Sequence, residues 1–162
     1  MSKFAIVKII FKTDSVMANK EIIPNNRTSH ESDRSIITPD MMAECCRHVI
    51  HCLNSEKRFL QPAYSLWELA RDSGMTARLI SKSINEYMGQ NFHQLMNRLR
   101  VDEAKRLLQK TADPAQPAHA LSLKEIGVMS GFRSRSVFFS RFKEYEGITP
   151  GKYMALYGET EK

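Results

Sequence analysis

Residues 65–95 of this 162-residue chain are echoed by residues 122–153, and no other feature constrains the fold as much. Both copies open with a Ser-x-x-Glu capping box, Ser65 with Glu68 and Ser122 with Glu125. Leu66, Leu69, Ala70, Gly74 and Met75 then match Leu123, Ile126, Gly127, Gly131 and Phe132 at an offset of 57. After one inserted residue, Thr76, Ile80, Ile84, Tyr87, Gly89 and Leu95 match Ser134, Phe138, Phe142, Tyr145, Gly147 and Tyr153 at an offset of 58. A chain of this length holds one ordinary domain or two very small ones, so the economical reading is one supersecondary unit used twice.

Each copy predicts a helix, a tight turn and a second helix, over about 65–88 and about 122–146. A small residue (Ala70, Gly127) lets the helices approach, and a glycine four residues on (Gly74, Gly131) suits a left-handed turn. Thr76 and Ser134 cap the second helices, whose buried positions are Ile80 and Ile84 in one copy and Phe138 and Phe142 in the other. The outward positions are polar: Arg78, Ser81, Lys82 and Asn85, then Arg135, Ser136, Ser140 and Lys143. Between the copies, residues 91–110 predict a linker helix whose apolar stripe changes sides. Phe92, Leu95, Met96 and Leu99 share one face, and Val101, Ala104 and Leu108 the nearly opposite one, a pattern that packs against two bodies at once.

Ahead of the repeat, Thr38, Pro39 and Asp40 begin a helix of about four turns with a stripe of Met42, Cys45, Cys46, Val49, Cys52 and Leu53. Residues 59–63 form a short connection, and Thr149 and Pro150 cap a last helix carrying Tyr153, Met154 and Leu156. Residues 1–37 read as an appendage, with one lone β-rich stretch, FAIVKIIF, followed by a polar, turn-rich segment. The domain proper is therefore expected over 38–162, all-α, with two helix-turn-helix subdomains joined by the linker helix in a homeodomain-like arrangement.

Composition narrows the function. The chain carries 24 Lys and Arg against 18 Asp and Glu, a net charge of +6, so its surface attracts polyanions. The longest apolar run falls far short of the ~20 residues a bilayer demands, so no membrane partner is expected. Three cysteines, an odd number, point to reduced thiols in the cytoplasm. No paired carboxylates, nucleophile-base pair or phosphate loop is present, so neither an enzyme nor a cofactor is expected. Two helix-turn-helix units on one chain suit duplex DNA, whose major groove, about 12 Å wide, admits one helix and recurs every ~34 Å.

The motifs SLWELARDSGMTARLISKSINEYMGQNF, NRLRVDEAKRLL and IGVMSGFRSRSVFFSRFKEYEGITPGKY resemble the AraC/XylS family of bacterial transcription regulators over about residues 60–156. The resemblance implies a seven-helix domain, sequence-specific binding to double-stranded promoter DNA, and activation through contact with RNA polymerase. Ala77, Arg78, Ser81, Lys82, Asn85, Arg135, Ser136, Phe139, Ser140 and Lys143 are the expected base-reading positions, Phe139 projecting alone toward the groove. Thr76, Arg133 and Ser134 are expected at phosphates. Three departures stand out: Gly127 where members usually have Ala, expected to loosen that helix; Ser140 where a basic residue is common; and Met154 after the final Tyr. Residues 1–60 are too short for the large sensor domain many members place in front, so ligand control is not expected.

Two competing readings remain. Cys45, His48 and Cys52 stand at spacings that offer zinc ligands on one helix face, but the same positions continue an apolar stripe, so no metal is expected. Trp67, like the aromatics at 132, 138 and 142, is expected in the core. A helical protein-interaction adaptor, or a truncated regulator antagonising full-length relatives, is the alternative function.

Overall fold

The structure, a computed structural model, describes residues 37–112 and 121–159. The appendage expected over 1–37 lies outside the described residues except for its last position. Seven α-helices make up the rest: α1 Pro39–Ser55, α2 Leu66–Ser73, α3 Ala77–Met88, α4 Phe92–Ala112, α5 Leu123–Met129, α6 Arg135–Glu146 and α7 Pro150–Glu159. A single 3-10 turn, Arg58–Leu60, links α1 to α2. No strand occurs among the described residues, so the all-helical fold with two helix-turn-helix motifs is as expected.

Two separate cores flank α4. The first gathers Cys46, Val49 and Leu53 from α1, Leu69, Ile80 and Ile84 from the first helix-turn-helix, and Leu95, Met96 and Leu99 from α4. The second gathers Val101, Ala104, Leu107 and Leu108 from α4 with Ile126, Phe132, Phe138, Phe142 and Tyr153. The stripe that changes sides thus serves one core with each half. The helix starts with a reciprocal cap absent from the expectation: Asn91 Oδ1 accepts from the Gln94 amide at 2.9 Å, and Gln94 Oε1 accepts from the Asn91 amide at 2.8 Å.

Helix α1 begins as its sequence directs, with Thr38 Oγ1 accepting from the Met41 amide and Pro39 at the first position. Its buried stripe differs at one place: Ile50 is buried and Cys52 only partly so. His48 is exposed, Cys45 buried and Cys52 half-buried, so the three candidate zinc ligands stand in different surroundings. Burial, and next the neighbouring Cys45, pushes the Cys46 thiol up to about 12, which keeps it protonated. Among the described residues no group of three or more His, Cys, Asp or Glu is placed to hold a metal ion.

Trp67 is the clearest correction. Expected in the core, it is 79% exposed. It is the second residue of α2, between Leu66, which packs on the first core, and the capping Glu68, and one turn of that register points it outward.

Candidate nucleic-acid interface

Both helix-turn-helix units are assembled by the same local devices. Ser65 Oγ accepts from the Glu68 amide at 3.3 Å while Glu68 Oε2 accepts from the Ser65 amide at 2.7 Å. Ser122 and Glu125 repeat this at 3.2 and 2.8 Å. The turns are made by Gly74 and Gly131 at φ of +68° and +83°. Thr76 Oγ1 and Ser134 Oγ then accept from the amides of Leu79 and Val137, starting α3 and α6.

The similarity ends at the neighbours. A Cβ on Gly74 would meet nothing within 4 Å, whereas one on Gly131 would lie 2.7 Å from the Leu60 carbonyl oxygen. Only glycine lets the second turn press against the backbone ahead of α2. Gly127 is also held by its surroundings, since a Cβ there would approach the Phe138 ring to 2.9 Å. The glycine expected to loosen α5 is what allows the buried Phe138 ring to lie flush on that helix.

On α3, Arg78 and Asn85 are exposed, and Ala77, Ser81 and Lys82 are partly exposed. Lys82 lies 3.9 Å from Glu86, one turn on. On α6, Arg135, Ser136, Ser140 and Lys143 are exposed, and no ion pair engages Arg135 or Lys143 among the described residues. Arg141 instead pairs with Glu144 at 2.6 Å, on the flank of the helix. Phe139 does not stand free: it packs on the second core, edge-on to Phe138 at 5.5 Å, and the Arg135 guanidinium lies 5.0 Å from its centroid. That stacking limits the rotamers of Arg135 before any ligand arrives. Thr76, Arg133 and Ser134 are all exposed, with Arg133 Nε donating to the Pro62 carbonyl at 3.1 Å.

Sequence reasoning missed the residues that fasten α6 to the linker helix. Tyr145 donates its hydroxyl to the Gln94 carbonyl at 3.0 Å, and the Arg98 guanidinium lies 5.7 Å from the Tyr145 ring centroid. Glu146 receives Lys105 at 2.8 Å and Arg98 at 3.8 Å. The repeat aligns Tyr145 with Tyr87, but Tyr87 is exposed, so only the contact partners on α4 separate the two roles.

No helix of the described residues is long and apolar enough to cross a membrane. Comparisons with known proteins agree with the geometry. A helix-turn-helix domain family profile matches residues 69–155. An HTH-type transcriptional regulator of Staphylococcus aureus strain COL is 29% identical over 127 residues, covering 78% of this chain. The chain spans only 15% of that relative's length. Among solved structures, an AraC-type transcriptional regulator from Chromobacterium violaceum superposes with a TM-score of 0.59 at 22% identity, over 73% of this chain and 98% of that one. The DNA-binding domain of AdpA, solved with a target DNA, gives a TM-score of 0.52 at 23% identity, over 72% and 91%. With paired capping boxes, paired glycine turns and paired polar helices on one linker, the chain belongs to the AraC-type helix-turn-helix family of DNA-binding transcription regulators.

Proposed function

We propose that the chain binds double-stranded promoter DNA in a sequence-specific way, with α3 and α6 reading two adjacent major-groove segments, and activates transcription by contacting RNA polymerase. The observation that carries this reading is the outward face of α6, where Arg135, Ser136, Ser140 and Lys143 stand exposed at helical spacing with the two cations outside any ion pair among the described residues. Arg78, Ser81, Lys82 and Asn85, beside Ala77, supply the equivalent face of α3. Arg78 and Arg135 face the same side of the domain in this reading, which lets one chain do what a dimer does in other helix-turn-helix proteins. Thr76, Arg133 and Ser134 contact phosphates, and Phe139 meets a thymine methyl with the edge that Arg135 leaves uncovered.

Arg135 is the first residue of α6, the end that helix-turn-helix proteins insert deepest into the groove. Bidentate bonding to guanine is worth ~1–3 kcal/mol of discrimination. Arg135→Ala therefore weakens a site selected from random duplexes by that amount and spares a scrambled duplex. Arg133→Ala weakens both duplexes equally and reduces the salt slope by about one unit. Isotherms on both duplexes at several salt concentrations check this. Equal losses on both duplexes for Arg135→Ala remove it as a reader, and no loss for either variant favours the protein-interaction adaptor.

A further inference from the structure

Between the two helix-turn-helix units lies a cleft of about 310 Å³, bounded by residues 62–65 just ahead of α2, the first half of α4 and the residue ahead of the α6 cap. Two guanidinium groups line it, Arg100 from α4 and Arg133, and no carboxylate does. Both are held in place by main-chain carbonyls: Arg100 Nε and Nη2 donate to Phe59 and Gln61 at 2.7 and 3.0 Å, and Arg133 Nε donates to Pro62 at 3.1 Å. These acceptors orient the side chains but carry no full negative charge to neutralise them.

Three other cations of α4 are treated differently. Arg98 has Asp102 and Glu146, Lys105 has Glu146, and Arg106 has Glu103 as ion-pair partners. Burial, and then the charge of Arg133, holds the Arg100 guanidinium below its ordinary value. Ser65, His93 and Asn97 add polar groups to the walls. The volume sits at the small end of ligand pockets, about 300–1,000 Å³, and suits a compact anionic group. Planar guanidinium forks favour phosphate oxygens over a point-like halide.

We propose that this cleft between the subdomains is a phosphate-binding site, with Arg100 and Arg133 as its charged ligands. The phosphate is either a backbone phosphodiester of the duplex lying between the two half-sites or a free phosphate-bearing molecule, and the chemistry of capture is the same. Only the first source rests on the DNA-binding reading above; there the site deepens the phosphate role of Arg133 by giving it a partner, Arg100, that lies on the linker helix.

The test uses the full chain in two arms. In the first, thermal unfolding is followed as inorganic phosphate replaces chloride at constant ionic strength. A saturable rise in Tm is expected, with half-saturation at least tenfold weaker in Arg133→Gln, retained in Arg133→Lys, and unchanged in Lys152→Gln on the exposed face of α7. In the second, single methylphosphonates are placed along a selected duplex between its half-sites. A backbone source predicts one position that weakens the wild type severalfold and leaves Arg133→Gln indifferent. Coupling at such a position supports the site with DNA as source; a phosphate response without it supports the site with a free ligand as source. No saturable phosphate effect together with no coupled position overturns the site. A chain that binds no duplex defeats the DNA reading, and the first arm then decides the cleft by itself.

Discussion

The two helix-turn-helix units share their caps and turns but bury different chemistry. The first core is mostly aliphatic and sulfur-rich, with Cys46, Val49, Leu53, Leu69, Ile80 and Ile84 beside the separate rings of Phe59, Tyr64 and Phe92, and it has α1 as an added wall. The second turns on aromatic rings, Phe132, Phe138, Phe142 and Tyr153 meeting edge-on or tilted at 5.2–5.8 Å, and its added wall is α7, which carries Tyr153. Each unit thus has one helix beyond its helix-turn-helix, but the second relies on ring-to-ring contact where the first relies more on aliphatic and sulfur side chains. The difference teaches that a supersecondary unit fixes its own turn and caps, while the tolerance of each matched position is set by what packs on it.

The widest gap is expected at the turn glycines. Gly131→Ala combines a positive φ with a collision against the Leu60 backbone, and overpacking of ~1–3 kcal/mol adds to ~1–2 kcal/mol for the left-handed conformation. Gly74→Ala meets only the second cost. Urea unfolding of both variants checks the order, and equal losses would break the comparison. Next comes the helix contact: Gly127→Ala should destabilise by ~1–3 kcal/mol because the Phe138 ring must shift, although alanine is the better helix former. The mirror change, Ala70→Gly, should cost the propensity difference of about 1 kcal/mol and part of the burial of one methyl, up to ~0.8 kcal/mol.

The smallest effects are at acid pH. The Tyr64 hydroxyl, 2.9 Å away, is the main reason the Asp72 carboxyl sits below its ordinary range, and the Ser122 hydroxyl at 2.6 Å does the same for Glu125. A lowered folded value means the stabilisation is complete above the unfolded carboxylate pKa, about 4, and is lost as pH falls through the folded one. Tyr64→Phe in the first unit and Ser122→Ala in the second should each flatten the acid limb of stability against pH. An unchanged limb in either would show that its carboxylate is not coupled to folding.

Much of this was legible because it is local. Capping boxes, turn glycines and the divided stripe of α4 all act within a few residues, and each left a spacing that could be read. Polar exposure of Arg78, Arg135, Ser136 and Lys143 followed from the same periodicity. What escaped was long-range. Arg133 meets Pro62 across 71 positions and Tyr145 meets Gln94 across 51, and no periodicity records such pairs. Trp67 escaped for the opposite reason: hydrophobicity argued for burial, but the helical register set by its neighbours in α2 decided.

The linker helix sets phase more strictly than length. Its 21 residues rise about 30 Å, and one inserted residue between Leu99 and Val101 would add only ~1.5 Å, under half of a base-pair step. The same insertion would turn the second stripe by about 100° and swing the aromatic core, with α6, out of register with α3. Insertions of seven residues, close to two whole turns, nearly restore the angle and instead move the second unit ~10 Å along the linker axis. The helix thus behaves as a toothed coupling between two units, one that admits changes of spacing only in near-integral turns.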